Sequence, residues 1–303
     1  MKILASDGIV DAGTQLIKNA GFEIVIQKYT PEELLDVIAG FDAIIVRSAT
    51  KVTKEVIDKG TNLKVIARAG VGLDNIDTAY AKEKGIPVVN TPGASSISVA
   101  ELAIAHMFSV ARFLNCSNVE MLDGKWPKKD YSKGFELTGK TLGLIGFGNI
   151  GKETAKRALG LGMSVIAYDP FVTETDLNVK LMSKDEVLAD SDIISLHMPF
   201  IKSEGPALTS KEFAKMKKGV IIIQCARGSV VSEKDLLAAL NDGTVRYAGI
   251  DVWENEPIGD TQMDLVKHPA VSVTPHIGAS TVEAQIRVGT EIAQKVIDVL
   301  KKS

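Results

Sequence analysis

The sequence predicts an α/β protein built as two doubly wound parallel-sheet domains. Three observations predict it. Short β-rich apolar runs alternate with helical patterns along almost the whole chain, the rhythm of parallel sheets with helices on both faces. The rhythm comes as two series, with a long apolar helical segment between them. The first run of the second series passes into a glycine turn that opens a helix.

The first series gives strands at Lys2–Ala5, Glu23–Gln27, Ala43–Val46, Val65–Arg68 and Val88–Asn90. Between them, "TPEELLDVIAG" reads as a helix with Pro31 in its first turn and Gly40 as its stop. The segment around 98–126, "SISVAELAIAHMFSVARFLNCSNVEMLDGKW", is apolar almost all round a helical turn, so it is expected to be buried, packing between domains or between subunits. The second series gives strands at Thr141–Gly146, Ser164–Tyr168, Ile193–His197, Gly219–Gln224, Gly249–Val252 and Val271–Thr274. The last segment, "TVEAQIRVGTEIAQKVIDVL", is helical and is expected to return the chain to the first domain. The resulting division is 1–97 plus 284–303 for one domain and 98–283 for the other.

Composition sets the class. A chain of 303 residues with 45% hydrophobic and 24% charged residues fits two globular cores. A net charge of -3 and a pI of about 5.9 argue against a nucleic-acid partner. No apolar run approaches the ~18 residues that span a membrane, and "MKILASDGIV" is not a secretory leader. Cys116 and Cys225 suggest neither a disulfide framework nor a zinc site, so no metal is expected. The expectation is a reduced, cytoplasmic enzyme.

"KTLGLIGFGNIGKETAKRALGLGMSVIAYDP" carries the cofactor reading. Gly146, Gly148 and Gly151 form GxGxxG between a strand and a helix, the dinucleotide-binding arrangement of a Rossmann domain. The helix N-terminus offers N–H groups to a pyrophosphate. Asp169 closes the next strand, where a carboxylate accepts hydrogen bonds from ribose hydroxyls and repels a 2′-phosphate. The cofactor expected is therefore NAD.

Three later strands end in polar groups: "IIIQCARGSVV" in Arg227, "AGIDVWENEP" in Asp251 and Glu256, and "VSVTPHIGAS" in His276. Ligands of doubly wound sheets sit at the carboxyl ends of the strands. An arginine there can grip a carboxylate through paired hydrogen bonds. A histidine can take a hydroxyl proton, and a glutamate can orient the ring. Of the other histidines, His197 ends a strand and could line the cofactor, His106 reads as a packed helix residue, and His268 as a surface-loop residue.

Taken together, "GLIGFGNIG…YDP", "CARGSVVSEKDLLAAL", "GIDVWENEP" and "PHIGAST" make the chain resemble the D-isomer-specific 2-hydroxyacid dehydrogenase family over its whole length. The resemblance implies a flavodoxin-like, discontinuous substrate domain beside the Rossmann domain. It implies Arg227, Glu256 and His276 as the catalytic set. It assigns cofactor contacts to Asn149, Ile150, Asp169, Cys225, Ala226, Asp251, Gly278 and Ala279 in addition to the glycines. "VRSATKVT", "ARAGVGLDNID", "VVNTPGASSISVAELAIA" and "LDGKW" point to the branch that oxidises D-3-phosphoglycerate, at the start of serine biosynthesis. The implied substrate is thus a small phosphorylated 2-hydroxy acid, and the implied assembly a homodimer through 98–126.

Arg47, Lys51, Arg68 and Asn75, at or beyond strand ends of the first domain, are candidate phosphate-binding groups. The alternatives are a hydroxypyruvate or glyoxylate reductase of the same fold, and an NADH-sensing interaction protein. Departures from the family pattern are Gln224 and Ser232, where asparagine and aspartate are usual, Val71 and Met198, where threonine is frequent, and the loop "PFIKSEGPALT". The chain is expected to lack the C-terminal serine-sensing domain of longer relatives.

Overall fold

The computed structural model describes residues 1–302. Its contacts divide the chain into two units, Met1–Ser95 with the chain from Ser280 onward, and Ser96–Ala279.

The first unit carries β1 (Lys2–Ala5), α1 (Asp11–Asn19), β2 (Glu23–Ile26), α2 (Pro31–Val37), β3 (Ala43–Val46), α3 (Lys54–Lys59), β4 (Val65–Arg68), α4 (Thr78–Glu83) and β5 (Val88–Asn90). Its strands pair in parallel in the order β2-β1-β3-β4-β5, the flavodoxin-like winding. Alternation along the strands feeds two cores. Ile3, Ala5 and Ile45 pack with the C-terminal helix on one face, while Leu4, Ile44 and Val46 pack with Leu34, Val56 and Ile57 on the other. Local chemistry sets the helix starts. Thr30 and Glu33 form a reciprocal capping box ahead of Pro31, and Asp77 caps α4 through the Tyr80 amide.

The second unit opens with α5 (Ser96–Arg112) and α6 (Leu114–Leu122). It continues with β6 (Thr141–Ile145), α7 (Asn149–Gly160), β7 (Ser164–Tyr168), β8 (Lys180–Leu181), α8 (Lys184–Asp190), β9 (Ile193–Leu196), α9 (Ser210–Phe213), β10 (Val220–Gln224), α10 (Glu233–Asp242), β11 (Val245–Ile250), α11 (Met263–Val266) and β12 (Val271–Val273). The sheet order is β12-β11-β10-β9-β6-β7-β8, all parallel. The chain winds outward from β6 on one side, then returns to β9 and winds outward on the other. The winding reverses between β6 and β9, the place where such sheets hold ligands. Leu142, Leu144, Ile221 and Ile223 face α5 and α7, whereas Ile194, Leu196, Ile222 and Ile250 face α8 and α10. The chain then returns to the first unit as α12 (Val282–Leu300), capped by Thr281 through the Ala284 amide.

The apolar segment at 98–126 is not one buried helix. Phe113 adopts φ 55° and breaks it, and the two pieces lie 64° apart. α5 is buried along most of its length. α6 has no buried residue, with Leu114 53% and Leu122 80% exposed. A left-handed phenylalanine has no sequence signal, because the conformation is rare for a bulky side chain. The two-residue strand β8 was not expected either.

In the first unit α1 and α12 cross at Gly13 and Gly289. A Cβ on Gly13 would lie 2.6 Å from the Gly289 carbonyl oxygen and 2.8 Å from Ile9 Cδ1. Gly13→Ala is therefore expected to destabilise the protein by roughly 1–3 kcal/mol, the usual cost of overpacking. Chemical denaturation measures it, and an unchanged midpoint would show slack between these helices.

Candidate active site

The glycine turn after β6 is shaped by close approach. Gly146 has φ 94°, the left-handed region that favours glycine, and any Cβ there would press on the His197 carbonyl. Gly148 begins α7 without a side-chain cap, and a Cβ placed on it would meet nothing within 4 Å. The turn thus presents an open side and a helix N-terminus to an anion, which fits a dinucleotide pyrophosphate. Asp169, at the end of β7, is fixed by two backbone amides: Phe147 N donates to Oδ2 at 2.8 Å and Phe171 N to Oδ1 at 2.9 Å. Each oxygen keeps a further lone pair for a ribose hydroxyl.

β10, β11 and β12 are parallel neighbours, so the residues after them emerge at one end of the sheet. Arg227 follows β10. The buried Gln224 shapes its turn, donating from Nε2 to the Arg227 carbonyl at 2.7 Å. Cys225 is 5% and Ala226 7% exposed, so both belong to the core. Burial pushes the Cys225 thiol well above its ordinary range and keeps it protonated.

His276 and Glu256 meet at 2.6 Å, through Nδ1 and Oε2. The other glutamate oxygen accepts the Trp253 amide at 3.0 Å, which fixes the carboxylate. The bond to Glu256 raises the His276 pKa; burial opposes it but does not cancel it. For Glu256, partial burial would raise the pKa. The His276 bond, the Trp253 amide and the charges of His276 and Arg227 outweigh it and hold the carboxyl below its ordinary value. With Nδ1–H given to Glu256, Nε2 is the nitrogen that can face a substrate. A cavity of about 470 Å³ adjoins this pair, with Trp253, Pro257, Ile258 and Val273 as its apolar wall.

Asp251 holds this loop. It is 1% exposed. Oδ1 accepts from Thr274 Oγ1 at 2.6 Å and from Ile277 N at 2.8 Å, and Oδ2 accepts from Gly278 N at 2.9 Å. Its carbonyl accepts the His276 amide at 2.8 Å. Asp251 is therefore an anchor of the loop that carries His276. Gly278 and Ala279 lie in the anchored loop.

His197 lies beneath the glycine turn, with Nε2 3.0 Å from Ser195 Oγ and 3.2 Å from Thr154 Oγ1. Burial pushes its pKa down to about 3, so it stays neutral near neutral pH. His106 is 2% exposed in α5 and bonded on both ring nitrogens, as a packed helix residue should be. His268 accepts the Ala270 amide in a turn.

In the first unit Arg68 ends β4 and Arg47 follows β3, and Val46 pairs in register with Arg68. The two arginines are thus adjacent at one sheet end. Lys51 is exposed. Asn75 is not an open donor as expected: its Nδ2 gives to Arg47 O at 2.9 Å and to Thr50 O at 2.6 Å. Both amide hydrogens hold the 47–50 loop instead. Asp7, not singled out from the sequence, grips the same loop from the other side, accepting Arg47 N at 2.7 Å, Thr50 N at 3.1 Å and Thr50 Oγ1 at 2.7 Å. The available signal was an aspartate just past the end of the first strand, in "ASDG".

Residues 104–278 match the profile of the D-isomer specific 2-hydroxyacid dehydrogenase NAD binding domain. A hydroxypyruvate reductase of Thermotoga maritima is 50% identical over 97% of this chain and 97% of its own length. A D-3-phosphoglycerate dehydrogenase of Archaeoglobus fulgidus is 43% identical over 99% of this chain but 58% of its own length, so the chain spans little more than half of that relative. Among solved structures, a Thermus thermophilus protein superposes with a TM-score of 0.91 at 31% identity, covering 100% of this chain and 97% of its own. The parallel sheets, the glycine turn with Asp169 and these matches agree: the chain belongs to the D-isomer-specific 2-hydroxyacid dehydrogenase family, whose NAD-binding domain it carries.

Proposed function

We propose that the protein oxidises D-3-phosphoglycerate to 3-phosphohydroxypyruvate, with Arg227, Glu256 and His276 as its catalytic residues. The observation that carries the substrate choice is the pair Arg47 and Arg68 at adjacent strand ends of the first unit, with the exposed Lys51 further along the chain from Arg47. Cations in that arrangement suit a dianionic phosphate. Arg227 grips the substrate carboxylate. His276 Nε2 takes the hydroxyl proton as the carbon–oxygen bond becomes a carbonyl, and Glu256 stabilises the charged ring that results. NAD, when bound, supplies the hydride acceptor.

Hydroxypyruvate reduction is the second reading, favoured by the Thermotoga maritima relative, whose length this chain matches. A panel of 3-phosphoglycerate, D-glycerate, hydroxypyruvate and glyoxylate, with NAD or NADH as required, separates the two. We also propose a homodimer through 98–126, because α6 leaves Leu114 and Leu122 exposed and Trp126 is 78% exposed. Sedimentation should show a dimer in the wild type and a shift toward monomer for Leu122→Glu. A monomeric wild type would refute that assembly.

Arg47→Ala or Arg68→Ala is expected to weaken 3-phosphoglycerate selectively, by ~1.5–3 kcal/mol in kcat/KM, the worth of a hydrogen bond to a charged group. An equal loss with D-glycerate would assign both residues to structure alone.

The His276–Glu256 pair sets the pH dependence. Oxidation needs a neutral ring, so its rate should rise with pH through the raised His276 pKa; reduction needs the charged ring and should improve as pH falls. His276→Asn should retain NADH binding and lose roughly 10²–10⁴-fold in turnover. Glu256→Gln should lose less and move the oxidation profile to lower pH, because the interaction that raises the ring pKa is gone. Near-normal turnover with an unchanged profile in His276→Asn would remove His276 from the mechanism.

A further inference from the structure

We propose that His106, in α5, is a positioning residue for His276, acting through Thr274 and Asp251. The proposal rests on His276 being the proton carrier. His106 spans one side chain of β12 and one just after it, with Nδ1 2.9 Å from Ser272 Oγ and Nε2 3.0 Å from Thr274 Oγ1. Thr274 has one hydroxyl hydrogen and gives it to Asp251 Oδ1 at 2.6 Å. Its oxygen therefore accepts from His106 Nε2. Burial lowers the His106 pKa, against the pull of Asp251, the charged group facing the ring.

The sheet is built to receive this histidine. Gly249, on β11, would place a Cβ 2.6 Å from His106 Cβ, so only glycine admits the ring at that depth. Asn115, from α6, also reaches Ser272, at 3.0 Å. Beyond Thr274 the chain of bonds divides. Asp251 holds the amides of Ile277 and Gly278 on one side of His276 and, through its carbonyl, the amide of His276 itself. His276 sits at φ 54°, a conformation rare for a non-glycine residue, so it needs this external support. Loss of the His106 donor frees the Thr274 hydroxyl to turn away from Asp251. The loop then loosens, and with it the contact between His276 and Glu256. Besides Glu256, Asp251 and Arg227 are the charged groups acting on the His276 ring.

The test uses the full chain with His106→Leu, His106→Gln, Thr274→Val and the double variant His106→Leu/Thr274→Val. With only four histidines, the His276 ring can be titrated directly by ¹H–¹⁵N NMR, its signal assigned by its loss in His276→Asn. In His106→Leu and Thr274→Val the His276 pKa should fall toward its ordinary value. Turnover of 3-phosphoglycerate should drop roughly 10–10²-fold, the scale of a displaced catalytic group, with KM little changed. His106→Gln, whose amide can donate to Thr274, should restore both readouts, and the double variant should be no worse than Thr274→Val. An unchanged His276 titration in folded His106→Leu and Thr274→Val would overturn the proposal and leave the network a core contact. The titration needs no turnover, so a wild type inactive on every 2-hydroxy acid would end the substrate reading without affecting this result.

Discussion

A carboxylate removed from water must be met by donors, or it gives up its charge or its place. Asp251 is such a group at 1% exposure, and its partners lie 23 to 27 residues further along the chain. Bringing the Thr274 hydroxyl and the amides of Ile277 and Gly278 onto two oxygens forces the chain after β12 into a tight hook, and His276 occupies its bend. The left-handed backbone there is a consequence of that convergence. The hook, the pairing of His276 with Glu256 and the wall of the adjoining cavity all depend on one buried charge being satisfied.

The same reasoning separates what the sequence could show from what it could not. The glycine turn was legible because its requirements are local: a strand, a turn that tolerates positive φ at Gly146, and a helix start within a few residues. The central strands were legible because buried parallel strands read as continuous apolar runs, as in "AIIV" and "VIIIQ". Roles set by distant partners were not. Asp251 reads as one more polar residue at a strand end until the loop that returns to it is placed. Asn75 reads as an open donor until Arg47 and Thr50 claim its amide. The break at Phe113 was hidden for a different reason. The periodicity of 98–126 is helical on both sides of it, and one residue's backbone rotation leaves no trace in an apolar pattern.

Two histidines at strand ends of one sheet show how environment alone sets chemical use. His197 and His276 have the same side chain and, from the sequence, a similar position. His197 is enclosed beneath the glycine turn, its hydrogen-bond partners are hydroxyls, and burial drives its pKa to about 3. It is neutral throughout the range in which a dehydrogenase works and cannot supply a proton. His276 is half exposed, with its side chain at 48% of full accessibility, and faces a carboxylate at 2.6 Å. Both protonation states are open to it, and the charged one is favoured. A reaction run in either direction needs a group that can hold the proton and also release it, and only the second environment provides one. The requirement selects a site with a fixed carboxylate on one ring nitrogen and room on the other, which is what the hook held by Asp251 creates.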